Sequence, residues 1–149
     1  MTTKISVGDV IMIPIAKVGI VPAQVLFVSK KYKNVIQMGV YQTCLTSSND
    51  EFNYSDSFCE LIYTSQEMIK KGDWILIGNH LVAEQYKDSS LRNVAGSLYI
   101  NDDFIRRLAP DEYSKYPKML VSGRGAVENR IRKNFPENIL DGNPERPCP

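Results

Sequence analysis

Histidine and cysteine are scarce in this chain, which holds one histidine, His80, and three cysteines, Cys44, Cys59 and Cys148. A single histidine removes most zinc arrangements, which need several nitrogen or sulfur ligands. The cysteines are odd in number, and their spacing matches no zinc or redox motif. His80 could act in nucleophilic catalysis only with a partner brought from elsewhere in the chain, and nothing beside it supplies one. A basic excess is also missing: 18 Lys and Arg face 17 Asp and Glu, for a net charge of +1. A domain devoted to nucleic acid carries a clearer positive surplus. No apolar run is long enough to span a bilayer, and no basic start followed by an apolar stretch marks a secretory leader. The expected compartment is the cytoplasm, with reduced thiols and no membrane contact.

What is present suits one globular domain. The chain has 149 residues, of which 43% are hydrophobic and 23% charged. Residues 1–136 are expected to fold as one unit, followed by a Pro-rich tail over 137–149 that ends in GNPERPCP. The charge is unevenly spread. Asp50, Glu51, Asp56, Glu60 and Glu67 fall in a stretch without Lys or Arg, whereas bases outnumber acids between Phe104 and Phe135.

Three runs rich in β-branched residues, Val10–Ile15, Ile20–Val28 and Val35–Tyr41, predict a β-meander. Pro14 and Pro22 cannot donate to a ladder, so they are expected at edges, strand ends or bulges. FCELIY and SLYIN are strand candidates, and WILIG, which holds the only tryptophan, Trp74, reads as a buried strand. Thr64 and Glu67 have capping-box spacing ahead of Gly72, which predicts a short helix between them. DDFIRRLA reads as a short helix opened by acids. In AVENRIRKNF, Val127, Ile131 and Phe135 fall on one face at fourfold spacing, which predicts an amphipathic helix that Pro136 ends. The expected fold is α+β: a strongly bent antiparallel sheet or SH3-like barrel with short helices and that C-terminal helix. Trp74, Ile77, Val127 and Ile131 are assigned to its core.

No group of residues forms a catalytic constellation, so no catalytic residue, metal or cofactor is assigned. The glycines of VSGRGAVENR precede a helix, but no Gly-Lys-Ser/Thr ending follows them. Asp102 and Asp103 could ligate a metal, and equally they suit a helix start. The stretch Asp50-Glu51-Phe52-Asn53-Tyr54-Ser55-Asp56 differs in kind, mixing acids with aromatics in a manner suited to a basic protein surface.

Three segments resemble one family. VGDVIMIPI followed by GIVPAQVLFV is similar to the opening of the Immunity protein 26 family. GDWILIGNHLV resembles its central Trp-x-x-Ile-Gly segment, and GAVENRIRKNF its C-terminal Val-Glu-x-Arg-Ile helix. Order and spacing agree over most of Gly8 to Phe135, although Asn79-His80-Leu81 and the acidic stretch depart from the pattern. The resemblance implies a non-enzymatic protein that neutralises a cognate bacterial toxin domain by direct contact. The expected contact residues, chosen on composition, are Asp50, Glu51, Phe52, Tyr54, Asp56 and Glu60. Two alternatives compete with this reading. A small-barrel module binding nucleic acid or peptide would want aromatics among bases, for which Tyr32 between Lys31 and Lys33 is the candidate. A small-barrel ribonuclease would need an early arginine, and the first in this chain is Arg92.

Overall fold

The apolar runs of the first forty residues become three antiparallel strands, β1 (Asp9–Ile15), β2 (Gly19–Val28) and β3 (Val35–Tyr41). In the computed structural model, which describes residues 4–47, 52 and 57–135, eight further elements follow. They are β4 (Phe58–Ser65), α1 (Glu67–Lys70), β5 (Ile75–Asn79), β6 (Arg92–Val94), β7 (Ser97–Ile100), β8 (Asp103–Arg107), β9 (Val121–Ser122) and α2 (Arg124–Arg132). Short 3-10 turns lie at Glu84–Tyr86 and Pro110–Lys115. Six strands form one sheet in the order β5-β1-β2-β3-β4-β9, and β6-β7-β8 form a second. The fold is α+β and mainly β. The large sheet begins at β5 and ends at β9 without those two pairing, so it is open and not a closed SH3-like barrel. It is not wholly antiparallel either, because β9 runs parallel to β4.

Both prolines sit where one side of the ladder is missing. Pro14 lies beyond Met12, the last residue of β1 that pairs with β5, and Pro22 lies before Ala23, the first residue of β2 that pairs with β3. On one face of the sheet Ile11, Ile13, Val21, Ala23, Ile36, Met38 and Ile62 pack with Val127 and Ile131 of α2, and with Trp74 and Phe135. The Trp74 indole N–H, wholly buried, donates to a Glu128 carboxylate oxygen at 3.1 Å. Burying an indole with its N–H satisfied avoids the cost of a stranded donor.

The opposite face depends on an irregularity. Val25 pairs with Met38, but Phe27 pairs with Gln37, so Leu26 is an extra residue on β2. A bulge of this kind breaks the two-residue alternation. Val25 therefore belongs to the core beneath α2, while Phe27 joins Gln37 on the other side. Gln37 in turn pairs with Tyr63 of β4. Phe27, Gln37 and Tyr63 thus form a row across three strands, and the second sheet packs over it through Arg92.

Several expectations need correction. Trp74 is buried, but the strand after it is an edge: Ile75 is 42% and Ile77 41% exposed, because β5 has β1 on one side and, among the described residues, no strand on the other. Ile77 is not a core residue. The segment read as a helix at DDFIRRLA is strand β8, which returns on β7 through a turn at Asn101, whose φ is 52°. A short run with apolar pairs fits either period, and the hairpin partner decides it. Thr64 caps nothing; its hydroxyl donates to the Ser122 carbonyl at 2.6 Å, and Gln66 occupies the N-cap of α1. Cys44 is disulfide-bonded and not the thiol expected, whereas Cys59 is free. Cys148 lies outside the described residues. No described helix is long and apolar enough to cross a membrane.

Removing side-chain volume should therefore cost very different amounts at two isoleucines. Ile131→Ala should lower unfolding free energy by about 2–5 kcal/mol, and Ile77→Ala by about 1 kcal/mol or less, in urea titrations followed by Trp74 fluorescence.

Candidate functional site

The root of the acidic stretch is an aromatic cluster. β3 ends at Tyr41 and β4 begins at Phe58, which pairs with it. The two rings lie 4.7 Å apart, and Tyr86 stands 4.4 Å from Phe58 on its other side. The Tyr86 hydroxyl accepts the Phe58 backbone N–H at 3.0 Å. Gly39 makes room for this arrangement, since a Cβ there would fall 2.4 Å from the Phe58 ring. Phe52, half-buried, meets Tyr41 edge-on at 5.1 Å, so one of the expected contact residues is partly drawn into the root. Glu60 accepts from Arg130 of α2 at 2.8 Å, and its charge is partly answered within the fold. Asp50, Glu51, Tyr54 and Asp56 lie outside the described residues.

His80 is exposed on the segment that follows β5, and its backbone is held on both sides. Its N–H donates to the Gly8 carbonyl at 2.9 Å, and its carbonyl accepts from Gln24 Nε2 at 2.8 Å. Gly8 has a φ of 95°, and a Cβ there would stand 2.7 Å from the His80 carbonyl oxygen, so this close approach needs glycine. The histidine thus marks a strand junction.

Several basic residues are engaged within the fold. Lys31 lies over the rings of Tyr99 and Tyr32, at 4.8 and 5.5 Å, and donates to the Tyr99 hydroxyl. The Tyr32 candidate is therefore half of a cation–π contact within the fold. Arg106 forms a two-pronged contact with Glu112 at 2.9 and 2.8 Å, and this pairing, helped by the Ala109 N–H, holds the Glu112 carboxyl down at about 2. Asp102 accepts from the Ser29 hydroxyl and the Lys30 N–H, both at 2.6 Å. Burial raises its carboxyl, but these bonds outweigh burial and leave it below the usual range. Among the described residues no three His, Cys, Asp or Glu side chains gather as a metal site.

Sequence reasoning passed over one group. Arg92, on β6, is wholly buried. Its Nη1 donates to the carbonyls of Ser90 and Asn101, at 2.9 and 2.7 Å, and its Nε points to the Met119 sulfur at 3.3 Å. The guanidinium carbon stands 5.2 Å from the centre of the Phe27 ring and 5.4 Å from that of Tyr63. No carboxylate among the described residues pairs with it at ion-pair distance, and both Arg92 Nη2 and the Tyr63 hydroxyl are buried without a hydrogen-bond partner. Beside Tyr63 opens a cavity of about 340 Å³, lined also by Gln37, Leu61, Ser89, Lys118 and Leu120. No local pattern around LRNVAG could have marked this arginine, because its burial is made by strands distant in sequence.

No family model, curated protein or solved structure matches the chain.

Burial pushes the Tyr63 phenol up to about 12, with the Arg92 charge pulling the other way. A raised value means that the neutral phenol is favoured by folding. The stabilisation is therefore intact below the ordinary tyrosine value near pH 10 and is lost as pH rises through 12. Denaturation curves taken from pH 9 to 12 should show an alkaline loss on the order of 1–2 kcal/mol that Tyr63→Phe removes.

Proposed function

We propose that this chain is an immunity protein that binds a cognate bacterial toxin domain and neutralises it by direct contact, without catalysis of its own. The carrying observation is the root of the acidic stretch. Tyr41, Phe58 and Tyr86 fix both ends of the connection between β3 and β4 on the sheet, and Phe52 joins them. A recognition segment held at both ends loses less conformational freedom on binding than a loose one.

Support also comes from how the three segments of the resemblance meet. The Gly-Asp opening touches the segment after β5 through Gly8 and His80, and the Trp segment touches the C-terminal helix through Trp74 and Glu128. Arg132 of that helix donates to the Ala16 carbonyl at 3.2 Å, beside the β1–β2 turn. Residues that carry a family likeness for structural reasons are expected to touch one another in this way.

In this reading Asp50, Glu51 and Asp56 steer a basic toxin surface, and Phe52 and Tyr54 supply apolar anchors at the centre of the contact. Glu60 belongs to the rim and exchanges between Arg130 and the partner. The partner is a protein; no nucleic acid, membrane or cofactor takes part, and the encounter takes place in the cytoplasm.

The test is calorimetric titration with the C-terminal domain of the large secreted protein encoded beside this one. Saturable binding at nanomolar concentration is expected, weakened at least tenfold by the double reversal Asp50→Lys with Glu51→Lys. No complex at micromolar concentration would overturn the pairing. Unchanged affinity in the double reversal, with Asp56→Lys added, would move the interface to the basic C-terminal third.

A further inference from the structure

We propose that the cavity beside Tyr63 binds a small phosphate monoester, its phosphate held by Lys118 and the Tyr63 hydroxyl in the field of the buried Arg92, its organic body against Leu61 and Leu120. This site is independent of the toxin-binding reading.

The argument starts from charge. A buried guanidinium with no carboxylate at ion-pair distance is costly unless its charge is answered, and Asp102, bound to Ser29 and Lys30, answers it only from farther off. Two carbonyls and two ring faces answer part of it for Arg92, and one of its nitrogens remains without a partner. The cavity wall is built from the immediate neighbours of Arg92's own contacts. Ser89 precedes Ser90, whose carbonyl takes the guanidinium, and Lys118 and Leu120 flank Met119, whose sulfur faces its Nε. Tyr63 belongs to both, lining the cavity and carrying the guanidinium against its ring. The arginine thus stands one residue layer behind the wall.

The polar groups on the wall are suited to an anion. Lys118 is exposed and forms no ion pair among the described residues. Arg130 also lines the cavity, with its charge shared with Glu60, the carboxylate that pairs with it. Gln37 and Ser89 satisfy each other, with the Gln37 amide donating to the Ser89 carbonyl and the Ser89 hydroxyl to Gln37 Oε1. The Tyr63 hydroxyl therefore stays the spare donor, protonated at neutral pH as any tyrosine is. It is covered, so contact requires local rearrangement of the side chains around it. Leu61 and Leu120 are 38% and 68% exposed, which is apolar surface that an organic body would cover. A volume of about 340 Å³ is within the range of small-ligand sites. A phosphate, with several acceptor oxygens and no donor requirement, matches a wall whose free groups all donate.

Phenyl phosphate, titrated into the full chain at constant ionic strength and followed by amide NMR shifts, tests the site. Saturable shifts confined to Tyr63, Ser89, Lys118 and Leu120 are expected, with dissociation in the submillimolar range. Lys118→Gln should weaken binding at least tenfold and Tyr63→Phe severalfold. Lys115→Gln, at the nearby 3-10 turn, should leave it unchanged. Inorganic phosphate should bind more weakly than phenyl phosphate, and neutral phenol should produce no saturable shift. Non-saturating shifts, or equal effects of Lys115→Gln and Lys118→Gln, would show general ionic attraction and overturn the proposal. Should Tyr63→Phe lose its fold, the comparison between the two lysine variants still decides.

Discussion

A positive charge with no carboxylate at ion-pair distance among the described residues joins the two sheets of this protein. Arg92 leaves the small sheet and lies against Phe27 and Tyr63 of the large one, with two backbone carbonyls fixing its orientation. Arginine can fill this role where lysine could not, because its flat group presents a face to a ring while its edge still donates. The contact depends on the bulge at Leu26. Were the strand regular through Leu26, Phe27 would point with Val25 into the core beneath α2, and the row on which the guanidinium rests would lose one of its two rings. One inserted residue therefore determines both how the sheets meet and which side chains surround the cavity.

The other face of the large sheet follows a simpler logic. Alternating Ile, Val and Met side chains of β1, β2 and β3 meet Val127 and Ile131 of α2, and the indole of Trp74 closes the layer with its N–H on Glu128. This face carries most of the apolar burial, so it supplies most of the drive to fold. The contrast between the faces is one of chemistry as well as of packing. The side beneath α2 is apolar and closed, whereas the opposite side buries Gln24, Gln37 and Arg92 and opens to a cavity.

That division explains what could be read in advance. The meander, α2 and the burial of Trp74 were legible because each rests on local periodicity or on one large apolar side chain. The helix expected at DDFIRRLA failed because Phe104 and Ile105 fit either period, and the choice was made by pairing with β7. The burial expected for Ile77 failed because an apolar run does not say whether a second neighbour exists. Of the expected contact residues, Phe52 and Glu60 are placed, and each already has a partner, Tyr41 and Arg130, that no spacing rule could have named. Arg92 was legible only as the first arginine in the chain. Apart from the nearby carbonyls of Ser90 and Asn101, its environment is assembled from β2, β4 and the segment before β9, elements tens of residues away.

The open edge at β5 has a consequence for how the protein behaves in a crowd. From Trp74 to Asn79 no residue is charged, Asp73 lying just before them, and no proline interrupts Ile75–Asn79. Such a strand invites copies of itself to add on, one after another, as in the growth of fibres. The register shift between Val10 and Ile11, where β1 meets β5, works against this. A kinked border is a poorer template for its own image than a regular one, which works against growth by repeated addition. The same irregularity that spoils an ideal ladder opposes edge-to-edge pairing at β5.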